Sequence, residues 1–347
     1  MPLLIDFDEV ERAGLIRWPD IVELAEKALS DLSAYGEQVN HPRRRLHCPT
    51  FTRISIHAGA AMAPGLMGMM IHSELPVVSE DGKPLPVQVV RGRGDYVYVL
   101  YHTETAHLAA IIRRSRDQRG VDYRTAATSA AGTSHLIRKE SCHLALFGSS
   151  HQARSHLEAF SQIMGLRRVR VFSPNPEHRK TFCQEMERKL SLEVVPAETP
   201  REALAGADVA LEASNTAVPV FSGQWLERGM HVTSIAGSNR ELTAQQGVVR
   251  KAMDEETVRR SNVIFVNLKE QIRQDQQGEI FQCIQRGLLT WERIFEVGDL
   301  VAGRVKGRDS ESEITFYNNN AGMGVVDVGL AAHVYRLAVE NGIGKEI

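Results

Sequence analysis

Apolar residues recur at Ile21, Leu24, Ala25, Ala28, Leu29 and Leu32 within WPDIVELAEKALSDLSAYGEQ. That spacing of three and four predicts an amphipathic helix. The period then shortens. FTRISIHAG, GMMIHSE, PLPVQVV, DYVYVLYHT and LAAIIRR read as strands, separated by the turn-forming stretches SEDGKP and RGRGD. One helix followed by successive strands predicts an α+β domain with a largely antiparallel sheet. From about residue 120 the pattern alternates. YRTAATSAAGTSHLIRKE, HQARSHLEAFSQIMG, PEHRKTFCQEMERKL, PREALAGA and SGQWLERG read as helices. HLALFGSS, RRVRVFSP, LEVVPA, DVALEAS, MHVTSIAG and SNVIFVN read as the strands between and after them. GVVDVGLAAHVYRLAVENGIG supplies a last helix. Such alternation predicts βαβ units and a doubly wound parallel sheet of Rossmann type.

One stretch resists a purely structural reading. GLMGMMIHSE sets Met67, Met69 and Met70 beside His72. Methionine fills irregular apolar space, so the run is either the wall of a core or the floor of a site.

Composition narrows the function. At 347 residues the chain exceeds one ordinary core, so two domains are expected. Apolar residues make up 43% and charged residues 24%, with a formal net charge of −2, which gives no basic excess for nucleic acid or an anionic membrane. A small-molecule ligand fits better. The cysteines Cys48, Cys142, Cys183 and Cys283 are scattered without metal-ligand spacing, so no metal site is expected and a reduced, cytoplasmic protein is. No basic-then-apolar leader opens the chain, and no apolar run reaches the roughly 18 residues of a membrane span.

The motif with a mechanism is Gly148-x-Ser150-x-x-Ala153, directly after a strand and opening a helix. This is the place of the dinucleotide fingerprint: a tight turn, close backbone approach to a pyrophosphate, and a small residue for helix–strand packing. Gly148, Ser149, Ser150, His151, Gln152 and Ala153 are therefore the expected phosphate cradle at a helix N-terminus. Ser150 departs from the usual middle glycine. An acid is expected at the end of the next strand if a ribose 2′-hydroxyl is read. VFSPNPEHRKTF has none; Ser173 and Asn175 stand there, followed by His178 and Arg179. Either these two cations form a solvated helix start, or Arg179 pairs with a 2′-phosphate, which favours NADP(H) over NAD(H).

Several segments together resemble the ornithine cyclodeaminase/μ-crystallin family. FGSSHQARSHLEAF is similar to its phosphate turn, YRTAATSAAG to its Arg-Thr-x-Ala segment, and EVGDLVAGRVKGRDSESEITFYNNNAGMGVVDVGLAAHVYRLA to its C-terminal signature. The resemblance spans roughly residues 40–345. It implies a dimerisation and substrate domain at 1–122, completed by 320–347, around a Rossmann domain at 123–319, and a homodimer. It implies nicotinamide-dependent reduction of imino acids, dehydrogenation of amino acids, or cyclisation of ornithine with loss of ammonia.

By resemblance, Arg124 and Arg44 hold a substrate carboxylate, with Arg45 the alternative one register away, and Thr125 lies near the cofactor, as do Ser214 and Asn215. Asn320, in NNNAGMG, either approaches the nicotinamide or belongs to a plain turn. Two positions depart from the family. Its substrate-contacting lysine is matched by Met70, which cannot ionise. His72, two residues on and on the same strand face, is either a substitute acid/base or a structural histidine. Cyclodeaminating members place an aspartate where this chain has Asn239, which can orient an amine but cannot take its proton. The residues thus favour an NADP(H)-dependent imine reductase or amino acid dehydrogenase. A cyclodeaminase with bound NAD and a catalytically degenerate NADPH-binding protein are the alternatives.

Overall fold

The computed structural model of the chain describes residues 1–49, 52–76, 90–115, 122–235 and 251–347. Asn239 and most of PLPVQVV lie outside the described residues. Two compact units result, one from Met1–Gly120 with Ala321–Ile347, the other from Val121–Asn320.

The first unit carries β1 (Leu3–Asp6), β2 (Arg44–His47), β3 (Arg53–Ala61), β4 (Leu66–Pro76), β5 (Val90–His102) and β6 (Leu108–Arg114). With the C-terminal strand Lys345–Glu346 they form a sheet in the order C-terminal strand, β1, β6, β5, β4, β3, β2. Only β1 and β6 pair in parallel; the rest is antiparallel. RGRGD, read as a turn, instead lies within β5. The register shifts between His72 and Glu74 there, the irregularity that glycines in a strand mark.

Helix Trp18–Tyr35 buries Ile21, Ala25, Ala28, Leu29 and Leu32, the stripe expected from the sequence. It packs on the C-terminal helix Gly324–Asn341, which itself lies along β3 and β4. That contact is made by backbone. A Cβ on Gly59 would strike the carbonyl carbon of Gly324, and one on Gly324 would strike the Ala58 carbonyl. The buried Asn40 side chain accepts from the Val325 N–H at 3.1 Å, satisfying one of the free amides at the helix start.

The second unit is a parallel sheet. Its strands are β7 (His143–Phe147), β8 (Arg168–Phe172), β9 (Glu193–Pro196), β10 (Val209–Glu212), β11 (His231–Ser234), β12 (Val263–Val266), β13 (Ile294–Glu296) and β14 (Thr315–Asn318). Their order is β13, β12, β14, β11, β10, β7, β8, β9. Direction reverses between β7 and β10, so the expected doubly wound sheet of Rossmann type is present. SGQWLERG does not form the expected helix; only a single 3-10 turn, Gly223–Trp225, is made. Gly223 is held by its N–H on Asp254 Oδ2 at 2.9 Å and abuts the Thr257 backbone, so a longer helix has no room.

Glu212 and Glu279 are among the acids buried in this unit. Glu212, at the end of β10, accepts from the Ser214 N–H at 2.8 Å and from the Ser214 and Ser234 hydroxyls at 2.6 and 2.9 Å. Glu279, in helix Gly278–Gln285, is enclosed, and burial pushes its carboxyl from 4.5 up to about 8, with Glu212 adding repulsion.

Gly324→Ala is expected to lower unfolding stability by about 3 kcal/mol, through overpacking against rigid backbone. Gly165→Ala, with nothing within 4 Å of the added methyl, is expected to stay within about 0.5 kcal/mol of wild type. Urea unfolding of both variants checks the contrast.

Glu279 keeps its proton in the fold up to about pH 8 but releases it above 4.5 when unfolded. Its stabilising contribution is therefore complete below pH 4.5 and falls as pH rises towards 8. Glu279→Gln cannot ionise in either state. We expect it to be more stable than wild type by about 2 kcal/mol at pH 7. In denaturation at several pH values, that advantage should disappear below pH 4.5.

Candidate functional site

In an open α/β sheet, ligands bind at the carboxyl ends of the strands where strand order reverses. Here that place lies between β7 and β10. Gly148 follows β7 with φ +127°, and a Cβ on it would run into the Ala213 carbonyl at the end of β10. Glycine is required both by the dihedral and by the neighbour. Helix His151–Phe160 starts at once. Its N-cap, Ser150, makes no side-chain cap bond, so the first-turn amides keep their outward-facing N–H groups. Ala153 is wholly buried, and the Ser149 hydroxyl donates to Ser173 Oγ at 2.9 Å. The geometry suits a dinucleotide pyrophosphate.

A second layer of contacts fixes this helix against helix Tyr123–Ser134. Asp122 takes the Thr125 hydroxyl on Oδ1 at 3.1 Å and the Gln152 amide on Oδ2, while its own N–H donates to Ser155 Oγ at 2.9 Å. His156 lies 3.0 Å from Ser129 Oγ and 2.8 Å from the Gln152 carbonyl, and burial pushes its imidazole down to about 4. Arg124, half-buried, and Thr125 stand in the first turn of the helix so braced. The long C-terminal signature supports the same helix from its other end. Arg308 donates to the Leu136 carbonyl at 2.6 and 3.0 Å, and Gly307 abuts the His135 carbonyl.

Several expected ligand contacts have structural employment instead. Arg179 is buried: it donates to the Ser173 carbonyl at 2.9 Å and to Glu198 at 2.8 Å. Its guanidinium is engaged by these two partners, so the geometry gives no support to a 2′-phosphate contact. Asn175 caps helix Pro176–Leu190 by accepting from the His178 N–H at 2.9 Å, and His178 is exposed. Asn320 uses its whole amide. Oδ1 accepts from the Asn267 and Leu268 N–H groups, and Nδ2 donates to the Leu268 carbonyl and Gln277 Oε1. An amide has two donors and two lone pairs, so nothing of Asn320 remains for nicotinamide. The Ser214 hydroxyl is held by Glu212; Asn215, next to it, is exposed.

In the first unit, the strand register sorts the candidates by face. His57 stands opposite Met70, and Ser55 opposite His72. Arg45 stands opposite Ser55, whereas Arg44 stands opposite Ile56. Side chains alternate along a strand, so Arg45 shares the face of Met70 and His72, and Arg44 points to the other. Of the two register alternatives, Arg45 is thus the one on the Met70 face. The Met70 face is unusually polar for one so enclosed: Arg53, Ser55 and His57 are all buried on it. His57 Nδ1 lies 2.7 Å from Asp327 Oδ2 in the C-terminal helix, and its ring meets that of His72 edge-on at 5.8 Å. His72 in turn lies 5.1 Å from the ring of Tyr96.

Sequence reasoning missed His57, Asp327, Asp122 and Glu212. The available signal was a charged or polar residue inside an otherwise apolar element, as in DVALEAS. It also missed the grouping of Cys142, His143 and Asp208 within 4.8 Å. There Asp208 accepts from the Cys142 and His143 backbone N–H groups and from Arg138, which makes it a structural brace.

Known proteins are similar to this chain over most of its length. A Δ(1)-pyrroline-2-carboxylate reductase of Bacillus cereus is 26% identical over 343 residues, 97% of either chain. An uncharacterised cyclodeaminase of Sinorhizobium fredii is 26% identical over 327 residues, 94% of this chain and 93% of its own. The structure of Thermococcus litoralis Δ(1)-pyrroline-2-carboxylate reductase, in complex with NADH and L-proline, matches with a TM-score of 0.82 at 26% identity, covering 99% of this chain and 100% of that one. The family model of the ornithine cyclodeaminase/mu-crystallin family matches residues 92–342, and the chain belongs to that family.

Proposed function

We propose that this chain is an NAD(P)H-dependent reductase of an α-imino carboxylate, also able to oxidise the matching amino acid. The observation that carries this reading is the Gly148 turn at the strand-order reversal, in a chain similar to a reductase whose structure holds NADH and L-proline. The cofactor, when bound, supplies hydride to the C=N carbon. The chain's own work is to fix the substrate. Arg124 and Arg45 bind the carboxylate, a planar fork matching its two oxygens. His72 serves the nitrogen, and Met70 forms an apolar wall.

NADP(H) over NAD(H) now rests on different ground. Arg179 no longer supports it, but no acid stands among residues 173–176 to repel a 2′-phosphate. A cyclodeaminase is the second reading, favoured by the likeness to the Sinorhizobium fredii protein. Asparagine at 239 weighs against it, as it cannot accept a proton from an amine. A protein that binds NADPH without turnover is the third.

We assign the first unit to substrate and dimer formation and the second to the cofactor. The dimer reading is supported by the sheet face opposite Met70. Leu46, Met67 and Tyr101 on it are 64%, 49% and 39% exposed, beside Ile56, Met69, Ile71 and Val99. A second copy would cover such an apolar face. No described helix is long and apolar enough to cross a membrane. The four free cysteines support a cytoplasmic location.

Light scattering should give a dimer, and Met69→Glu, a charge in the middle of that face, should give monomer. In turnover with a five-membered cyclic imino acid, Arg124→Ala is expected to raise the substrate KM about 100-fold, the loss of a charged hydrogen-bonded pair. NADPH affinity should stay at the wild-type value. Arg45→Ala should cost more than Arg44→Ala. An unaltered KM in Arg124→Ala would remove that residue from the site, and a higher kcat/KM with NADH than with NADPH would reverse the cofactor preference.

A further inference from the structure

We propose that Asp327, His57 and His72 form a proton-handling line in the first unit, with His72 the group that gives its proton to the substrate nitrogen and His57 and Asp327 its positioning residues. The proposal rests on the reductase reading above and adds to it the source of the proton.

Three observations carry it. Asp327 lies in the first turn of the C-terminal helix, where unpaired amides and the helix dipole favour a negative carboxylate. His57 is enclosed, with Nδ1 2.7 Å from that carboxylate. An anionic Asp327 accepts a hydrogen bond from Nδ1–H, which fixes the tautomer and leaves Nε2 as the acceptor of the ring. His72 then stands edge-on to His57, on the adjacent strand and two pairs along, on the same face. The groups facing this line are Asp327 from the helix, His72 from β4, Tyr96 from β5 and Arg45 from β2. The Arg53–Glu74 ion pair closes its far end.

The fold makes room for the pair at some cost. A side chain on Gly322 would strike the His57 ring, and Gly59 and Gly324 let strand and helix approach by backbone. A buried imidazole–carboxylate pair is not a natural way to stabilise a small sheet, because desolvation offsets much of its attraction. It does suit a positioned acid/base.

The step balances as follows. The N–H bond of the His72 imidazolium breaks and an N–H bond forms on the imine nitrogen. The nicotinamide cofactor, when bound in its reduced form, would supply the hydride for the new C–H bond at the imine carbon as the C=N π bond is lost. The products are the amino acid, the oxidised cofactor and neutral imidazole, which takes a proton back from water. Asp327 favours the cationic form of the linked histidines, so its loss should make His72 release its proton at lower pH.

Two measurements test this on the full-length protein with NADPH bound. In histidine-selective nuclear magnetic resonance, wild-type His57 should show the Nδ1–H tautomer, and His72 should titrate about one pH unit lower in Asp327→Asn. In imine reduction, His72→Asn should lower kcat about 100-fold or more. Asp327→Asn should lower it about tenfold and move the alkaline limb of the pH profile down with it, at wild-type substrate KM. His57→Gln, a second route to the same break, should reproduce the Asp327→Asn shift, with melting curves and NADPH binding confirming the folded state of each variant. An unmoved His72 titration, or an unmoved alkaline limb in the active variants, would overturn the relay. A wild-type protein that binds NADPH yet reduces no imino acid would overturn the reductase reading and the donor role of His72, while the titration would still decide the coupling of the three residues.

Discussion

The nucleotide-binding end of this chain depends on how closely two stretches of backbone approach. The Ala213 carbonyl occupies the space a side chain on residue 148 would need, so β7 must end in glycine for β10 to lie beside it. That adjacency is the reversal of strand order, and it opens the crevice. The turn at Gly148 then aims the first amides of helix His151–Phe160 outward and drops Gln152 onto Asp122. Asp122 holds Thr125, and through it the start of the helix that carries Arg124. One steric constraint thus sets the exposed amides at the helix start and, three contacts on, the placement of Arg124.

Much of this was legible in the chain. The alternation of apolar runs and amphipathic stretches specified the parallel sheet, because a buried parallel strand and its crossover helix each impose their own period. The phosphate turn was legible because its residues are adjacent in sequence. What sequence could not resolve was direction. Arg179 and Asn320 have the right chemistry in the right segments, but folded packing turns one onto Ser173 and Glu198 and saturates the other. The choice between Arg44 and Arg45 stays open in the sequence for a related reason: a strand flips its face with every residue, so an error of one in register exchanges inside for outside. His57 and Asp327 are 270 residues apart and meet only when the chain's two ends share a unit.

The most specific stretch of the sequence proves to be mainly a brace. Arg308 and Gly307 hold the carbonyls at the end of helix Tyr123–Ser134, while Asn319 and Asn320 lash β14 to that helix and to the loop after β12. Buried amides need every donor and acceptor met, so each of these residues fits one set of partners and tolerates little change. A long motif can therefore be highly specific without touching a ligand. Asp327, in the same stretch, is different: its carboxylate reaches a histidine on a strand, and its own helix needs no such contact to form.

That pair also makes sense of Met70. His57 and Met70 are directly opposed across β3 and β4. Opposed side chains have Cβ atoms about 5 Å apart, and like charges so placed repel. A lysine at 70 would set an ammonium against an imidazole held by Asp327, and the two would compete for one carboxylate in an enclosed space. Methionine at 70 brings no such competitor to the Asp327 carboxylate that His57 engages.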